Sequence, residues 1–301
     1  VELKGKRILI LGCGGMLGQA VYHSLKGNNI VLATDIDLNE EWLSFLDVND
    51  KQAMYNLCLE FKPDYLINLA ANTNLEHCEN NPELCFQTNS IGQENVCKVA
   101  NQLGIIVVYV STASIFNGNK PFYSESDLAS PLSIYGKSKY QGEVITRQTV
   151  SEYFILRAGW MMGGGKRDKK FVKLLIDQIK DGKTNLSVVN DKIGSITYTW
   201  DFAKNLSILL QNGKFGTYNM VNEGPCSRNE IAAELLDILC LKDRITLSSV
   251  NSGFFKKQYQ TPRPSSEVLK NDALNHFNLN FMRDWKTCLK EYATSLYAEK
   301  I

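Results

Sequence analysis

Tyr135 and Lys139 stand four residues apart in Ser133-Ile134-Tyr135-Gly136-Lys137-Ser138-Lys139. On a helix they share one face, a turn from each other. A free phenol titrates near pH ~10 and is a poor proton donor or acceptor at neutral pH. An ammonium group about 4–6 Å away favours the phenolate and lowers that pKa, which suits such a pair to acid–base work. The same spacing recurs at Tyr22 and Lys26, so context has to separate the two.

The second constellation is Gly12-x-x-Gly15-x-x-Gly18, with Met16 and Leu17 inside it. It follows the apolar run Lys6–Leu11 and leads into a helical pattern through Ala20, Val21 and Leu25. Strand, glycine turn and helix together let backbone N–H groups at a helix start approach a pyrophosphate. A second run, Asn29–Thr34, ends at Asp35. A carboxylate there can accept both ribose hydroxyls of an adenosine and would repel a 2′-phosphate. Asp37 lies close behind and positions 34–41 hold no Arg or Lys, so NAD(H) is the expected cofactor, with NADP(H) admissible. Tyr22–Lys26 falls in the first helix, remote from where a nicotinamide would lie.

The elements that must position these residues alternate. Strand-like runs at 65–70 and 105–110 are separated by helical patterns at 50–61, 81–102 and 133–150. Alternation of this kind predicts an α/β fold with a doubly wound parallel sheet and ligands at the strand C-terminal ends. Asp47 and Val48 then fall near an adenine. The loops Leu69-Ala70-Ala71-Asn72-Thr73 and Ser111-Thr112-Ala113-Ser114 fall on the cofactor side. Beyond Trp160, Gly163-Gly164-Gly165-Lys166-Arg167-Asp168-Lys169-Lys170 is glycine-rich and then basic, a loop that could close over a diphosphate, with Lys170 its best single candidate. Helices at 171–181, 199–211, 227–240 and 284–298 follow, around an irregular stretch at 250–266. Arg263, flanked by Pro262 and Pro264, is a candidate phosphate contact, with an interdomain salt bridge as the plainer reading.

Bulk composition excludes other classes. The chain has 301 residues, 44% apolar and 22% charged, with a net charge of +1, so nothing electrostatic recommends nucleic acid or an anionic membrane. Eight cysteines without a Cys-x-x-Cys, and three histidines apart from them, argue against a disulfide framework or zinc site, and no metal is expected. Scattered thiols, no leader before Arg7 and no long apolar stretch point to the cytoplasm.

These motifs resemble the extended short-chain dehydrogenase/reductases, and within them the dTDP-4-dehydrorhamnose reductase branch. The likeness is carried by the glycine turn, Asn68–Thr73, Asn89, Ser111-Thr112, Ile115–Gly118, Pro131–Lys139, Leu156–Trp160, Val189–Gly194, Thr197–Asp201 and Arg263-Pro264. It implies a Rossmann-type cofactor domain over 1–160 and a smaller mixed α/β substrate domain over 161–301, with roughly 186–222 returning to the first sheet. It further implies hydride transfer to the 4-keto carbon of a nucleotide-diphosphate deoxysugar. Tyr135 would protonate the alkoxide and Thr112 would hydrogen-bond the same oxygen. Lys139 would hold the nicotinamide ribose and depress the Tyr135 pKa. Asn89 would help position Lys139, and Trp160 would wall the sugar pocket.

The chain also departs from the branch. The Asp and Tyr that usually follow the threonine and face the sugar are Ala113 and Ser114 here, and Glu267 replaces a serine in Arg-Pro-x-x-Ser-x-Leu. The resemblance therefore carries over better to a 4-keto sugar nucleotide reductase than to one for rhamnose itself. A sugar nucleotide epimerase and a non-catalytic regulatory subunit, such as that of methionine adenosyltransferase, are the competing readings. The oligomeric state is left open, a homodimer included.

Overall fold

The computed structural model describes residues 2–298. Thirteen strands run in chain order: β1 Arg7–Leu11, β2 Ile30–Asp35, β3 Leu43–Phe45, β4 Tyr65–Asn68, β5 Ile106–Thr112, β6 Tyr153–Ala158, β7 Trp160–Met162, β8 Asn185–Val189, β9 Ile193–Tyr198, β10 Gly216–Asn219, β11 Pro225–Ser227, β12 Thr246–Val250 and β13 Ser266–Glu267. Seven of them form one parallel sheet in the order β10-β6-β5-β4-β1-β2-β3. From β1 the chain winds outward through β2 and β3, then returns to the other side of β1 as β4. The reversal between β1 and β4 opens a crevice at the strand C-terminal ends, where ligands bind in sheets of this kind. Strands β1 and β4 are buried along nearly their whole length, as expected for parallel strands covered by helices on both faces.

Of the stretch 186–222, only its C-terminal half joins this sheet. Helix Thr199–Asn212 packs beside helix Gly18–Lys26, and β10 extends the sheet next to β6. Strand β8 pairs instead with β12. Strand β9 is the centre of a second sheet, antiparallel to β11 and parallel to β7 and β13. That sheet and its helices enclose a separate core through Val172, Leu175, Ile196, Leu235 and Leu289. No helix among the described residues is long and apolar enough to cross a membrane.

Two local features set the site. Ser133 has extended backbone and accepts the Gly136 N–H at 3.1 Å, so helix Ile134–Thr149 starts there and Tyr135 falls in its first turn. Residues 82–103 are helical throughout, but Gln87–Ile91 widens to a π-turn between Pro82–Phe86 and Gly92–Leu103. Asn89 lies on that turn; such bulges are frequent at functional sites.

Candidate active site

The glycine turn sits in the crevice. Gly12 has φ +69°, and a Cβ on it would lie 2.4 Å from the Ala70 backbone, so only glycine lets the loops after β1 and β4 meet. Asp35, at the end of β2, accepts the Gly14 N–H at 2.8 Å and the Asp37 N–H at 2.9 Å. The acid is thereby fixed to the turn it was expected to accompany. Gly15 is exposed and Met16 half-buried there, while Leu17 is turned into the main core. The crevice fits a dinucleotide: a backbone cradle at a helix start, with an acid at its rim.

The remaining cofactor candidates divide by what their side chains do. Leu69 continues the sheet by donating its N–H to Leu11 at 2.9 Å, and Ala70 and Ala71 line the loop beyond it half-buried. Thr73 accepts the Lys170 ammonium on its carbonyl at 3.3 Å and its hydroxyl at 3.4 Å, so the basic loop does reach the cofactor side. That loop also crosses the glycine turn: a Cβ on Gly164 would stand 2.6 Å from the Met16 carbonyl, and Arg167 pairs with Glu40. Asp47 accepts from Asn49 at 2.9 and 3.0 Å, and Val48 is buried in the core against Gly92. Leu17 and Val48 therefore offer a ligand only their backbone. The Ser111 hydroxyl is likewise committed, donating to Glu143 at 2.6 Å.

At the end of β5, Thr112 and Tyr135 come together. Burial pushes the Tyr135 phenol well above its ordinary value, and the neighbouring Thr112 hydroxyl pulls it back only in part. This reverses the direction the Tyr-Lys spacing predicts. The first cause is desolvation of the phenol itself, and Lys139 shares that fate: it is 2% exposed and burial lowers its own pKa from 10.5 to about 7. Its ammonium lies 4.0 Å from the centre of the Tyr109 ring and, among the described residues, has no hydrogen-bond or ion-pair partner. A buried cation with nothing to donate to is a site for an incoming acceptor, such as a ribose hydroxyl.

Asn89 holds the frame around that lysine. Its amide accepts the Asn72 N–H at 2.8 Å and donates to the Asn72 carbonyl and the Ser138 hydroxyl, each at 3.0 Å. The Asn89 carbonyl accepts the Tyr109 hydroxyl at 3.2 Å, which also reaches the Lys139 carbonyl at 3.3 Å. Asn89 thus acts on Lys139 through Tyr109. Beneath lies Glu143, where burial would raise the carboxyl but hydrogen bonds from Arg157 and Ser111, with Arg147 nearby, hold it below the usual range.

On the substrate side the structure revises the expected set. Ala113 is packed among Ile115, Phe116, Tyr123, Val221 and Leu269, because the chain enters a 3₁₀ turn over Ala113–Ile115 that points its methyl inward. Ser114 faces the site and donates to Glu267 at 2.6 Å; Trp160 donates its indole N–H to the other Glu267 oxygen at 2.7 Å. Arg263 forms an ion pair with Glu76 at 3.0 Å and lies over Tyr259, which is the plainer of its two readings. The Lys26 ammonium lies over the Tyr22 ring, which stacks on Trp42 against the outside of the main core.

Two groups of this site carry no local signal in the sequence. Arg228, at the start of helix Arg228–Ile238, lies 3.8 Å over the Trp160 ring. Tyr109 is an inward residue of β5 like any other. Glu267 was visible only as a departure from a motif.

The RmlD substrate binding domain is matched over residues 6–298. The chain belongs to that family. The spore coat polysaccharide biosynthesis protein SpsK of Bacillus subtilis is 31% identical over 95% of this chain and 96% of its own. A dTDP-4-dehydrorhamnose reductase of Aggregatibacter actinomycetemcomitans is 31% identical over 97% and 99%. The crystal structure of dTDP-4-dehydrorhamnose reductase from Bacillus anthracis in complex with NADP superposes with a TM-score of 0.88 at 28% identity, covering 97% of this chain and 99% of that one. Family membership accounts for the Rossmann-type fold of the chain.

Proposed function

We propose that the chain reduces the 4-keto group of a dTDP-activated 6-deoxy sugar with a nicotinamide dinucleotide. The observation that carries this reading is the meeting of Thr112 and a protonated Tyr135 at the end of β5, with the unpartnered Lys139 one turn further along. Gly12, Gly15, Gly18, Asp35 and the loop Leu69–Thr73 would hold the dinucleotide, which when bound supplies the hydride. Charge then grows on the carbonyl oxygen. Thr112 donates a hydrogen bond to it, and Tyr135 gives up its proton to complete the hydroxyl. A desolvated phenol keeps its proton until a stronger base, the alkoxide, appears beside it. The resulting phenolate is offset by the Lys139 charge, and reprotonation from solvent resets the site.

For the cofactor we infer a preference for NADH. Asp35, fixed to the glycine turn, would face the ribose end, and Arg167, on the loop that crosses that turn, is already paired with Glu40. The test is loss of reduced-nicotinamide absorbance with dTDP-, UDP-, CDP- and GDP-4-keto-6-deoxy sugars, each made in situ by its dehydratase. Oxidation in the dTDP series is expected. Silence across the panel with dinucleotide binding intact would refute the activity, and a tenfold advantage of NADPH in kcat/KM would refute the preference.

A further inference from the structure

The pocket holds an acid that the reduction does not use. Ser114 is wedged between the two hydroxyl donors. Its N–H donates to the Thr112 hydroxyl at 3.2 Å, and a Cβ on Gly136, next to Tyr135, would stand 2.2 Å from its carbonyl. From that fixed point its hydroxyl donates to Glu267, whose second oxygen is taken by Trp160. Strand β13 sets Glu267 opposite Gly194 of β9, while β7 sets Trp160 opposite Ile196 of the same strand. The acid is therefore placed by rigid sheet rather than by a loop.

Its chemistry follows from counting. Each carboxylate oxygen can accept about two hydrogen bonds. Ser114 and Trp160 supply one each, and no cation lies within ion-pair distance of Glu267 among the described residues. Arg228 stays on the face of Trp160, and it is raised by the charge of Glu267 against a larger lowering by burial. After burial itself, the same charge is among the influences that keep the Tyr135 phenol protonated. A half-buried carboxylate with unused acceptor capacity, close to the reacting oxygen, calls for a donor from the substrate. Leaving such capacity unpaired discriminates strongly against an analogue that lacks the donor.

We propose that Glu267, braced by Ser114 and Trp160, is the specificity-determining residue of the sugar pocket. It selects a 4-keto sugar that carries a hydroxyl on the ring carbon beside the keto carbon. This rests on the reductase reading above. It also explains how a chain with Ala113 packed in the core retains an acid in the pocket.

The test compares kcat/KM for the 3-hydroxy and 3-deoxy forms of one nucleotide 4-keto sugar, in wild type and in Glu267→Gln. Glutamine can still accept the Trp160 N–H and meet Ser114, so the brace survives while an acceptor becomes a donor. Wild type should favour the 3-hydroxy form by roughly 10- to 100-fold. Glu267→Gln should cut that preference at least tenfold, by lowering kcat/KM for the 3-hydroxy form more than for the 3-deoxy form, with dinucleotide affinity and thermal midpoint little changed. An unchanged ratio in the variant, or equal rates in wild type, would overturn the assignment of Glu267 alone. Wild-type protein that reduces neither form would overturn the reductase reading, and this inference with it.

Discussion

Replacing Lys139 by methionine should stabilise the cofactor-free protein at low pH while abolishing its catalysis. The side chain is 2% exposed and its pKa falls from 10.5 to about 7 because burial disfavours the charged form. Each pKa unit is about 1.4 kcal/mol, so holding the ammonium in the fold opposes stability by roughly 4–5 kcal/mol when the group is fully protonated. Contact of the charge with the Tyr109 ring returns about 1 kcal/mol, which methionine forgoes. A net gain of roughly 2–4 kcal/mol is expected at pH 6, several degrees in thermal midpoint. Its pH dependence has a definite sign. The folded chain binds this proton more weakly than the unfolded chain, so between about 7 and 10.5 the unfolded state holds more protons and wild-type stability rises with pH. Below about 7 the penalty is full and constant. The advantage of Lys139→Met must therefore shrink toward zero by pH ~10. Thermal or urea unfolding of both proteins at pH 6 and 10, without dinucleotide, measures it. A variant less stable than wild type at pH 6, or one with the same gain at both pH values, would refute the account of a buried, unpartnered cation.

Tyr135→Phe removes the proton donor and leaves the ring in place. Turnover should fall by at least ~100-fold while dinucleotide affinity stays within about twofold, checked by steady-state kinetics and fluorescence titration. Glu143→Gln leaves Arg157 buried without its counter-charge. Unfolding in urea should show a loss of roughly 3–5 kcal/mol, and a loss under 1 kcal/mol would refute the dependence of buried Arg157 on the Glu143 charge.

The parts of the molecule legible in the sequence are those encoded within a few residues. Apolar runs ending in glycine or small polar residues gave the parallel strands and the cofactor crevice, and Ser133 marked the start of the helix that carries Tyr135 and Lys139. What failed to show is long-range. Ser114 and Glu267 are 153 positions apart, Trp160 and Glu267 107, and Arg263 and Glu76 187. No local pattern states which acid a given arginine will meet, and Arg263 found Glu76. The Tyr135 pKa was misread for a related reason. Spacing places a cation one turn away, but depth of burial decides whether phenol and ammonium can hold their charges at all. Ala113 shows the same limit, since one 3₁₀ turn decides which of two neighbouring residues faces the pocket.

The seventh strand of the main sheet, Gly216–Asn219, has a consequence for biosynthesis. It is separated from β6 by the whole of β7 to β9, yet it pairs the edge of β6 that would otherwise lie open, and helix Thr199–Asn212 packs on helix Gly18–Lys26. A ribosome-bound chain that has produced only the glycine turn and the Tyr-Lys helix thus presents an unpaired strand edge and a partly uncovered apolar helix. Such surfaces invite association with other chains. The cofactor crevice cannot mature ahead of the second half of the polypeptide. Stalled or truncated products ending between about residues 160 and 210 should be the ones that chaperones and proteases find first.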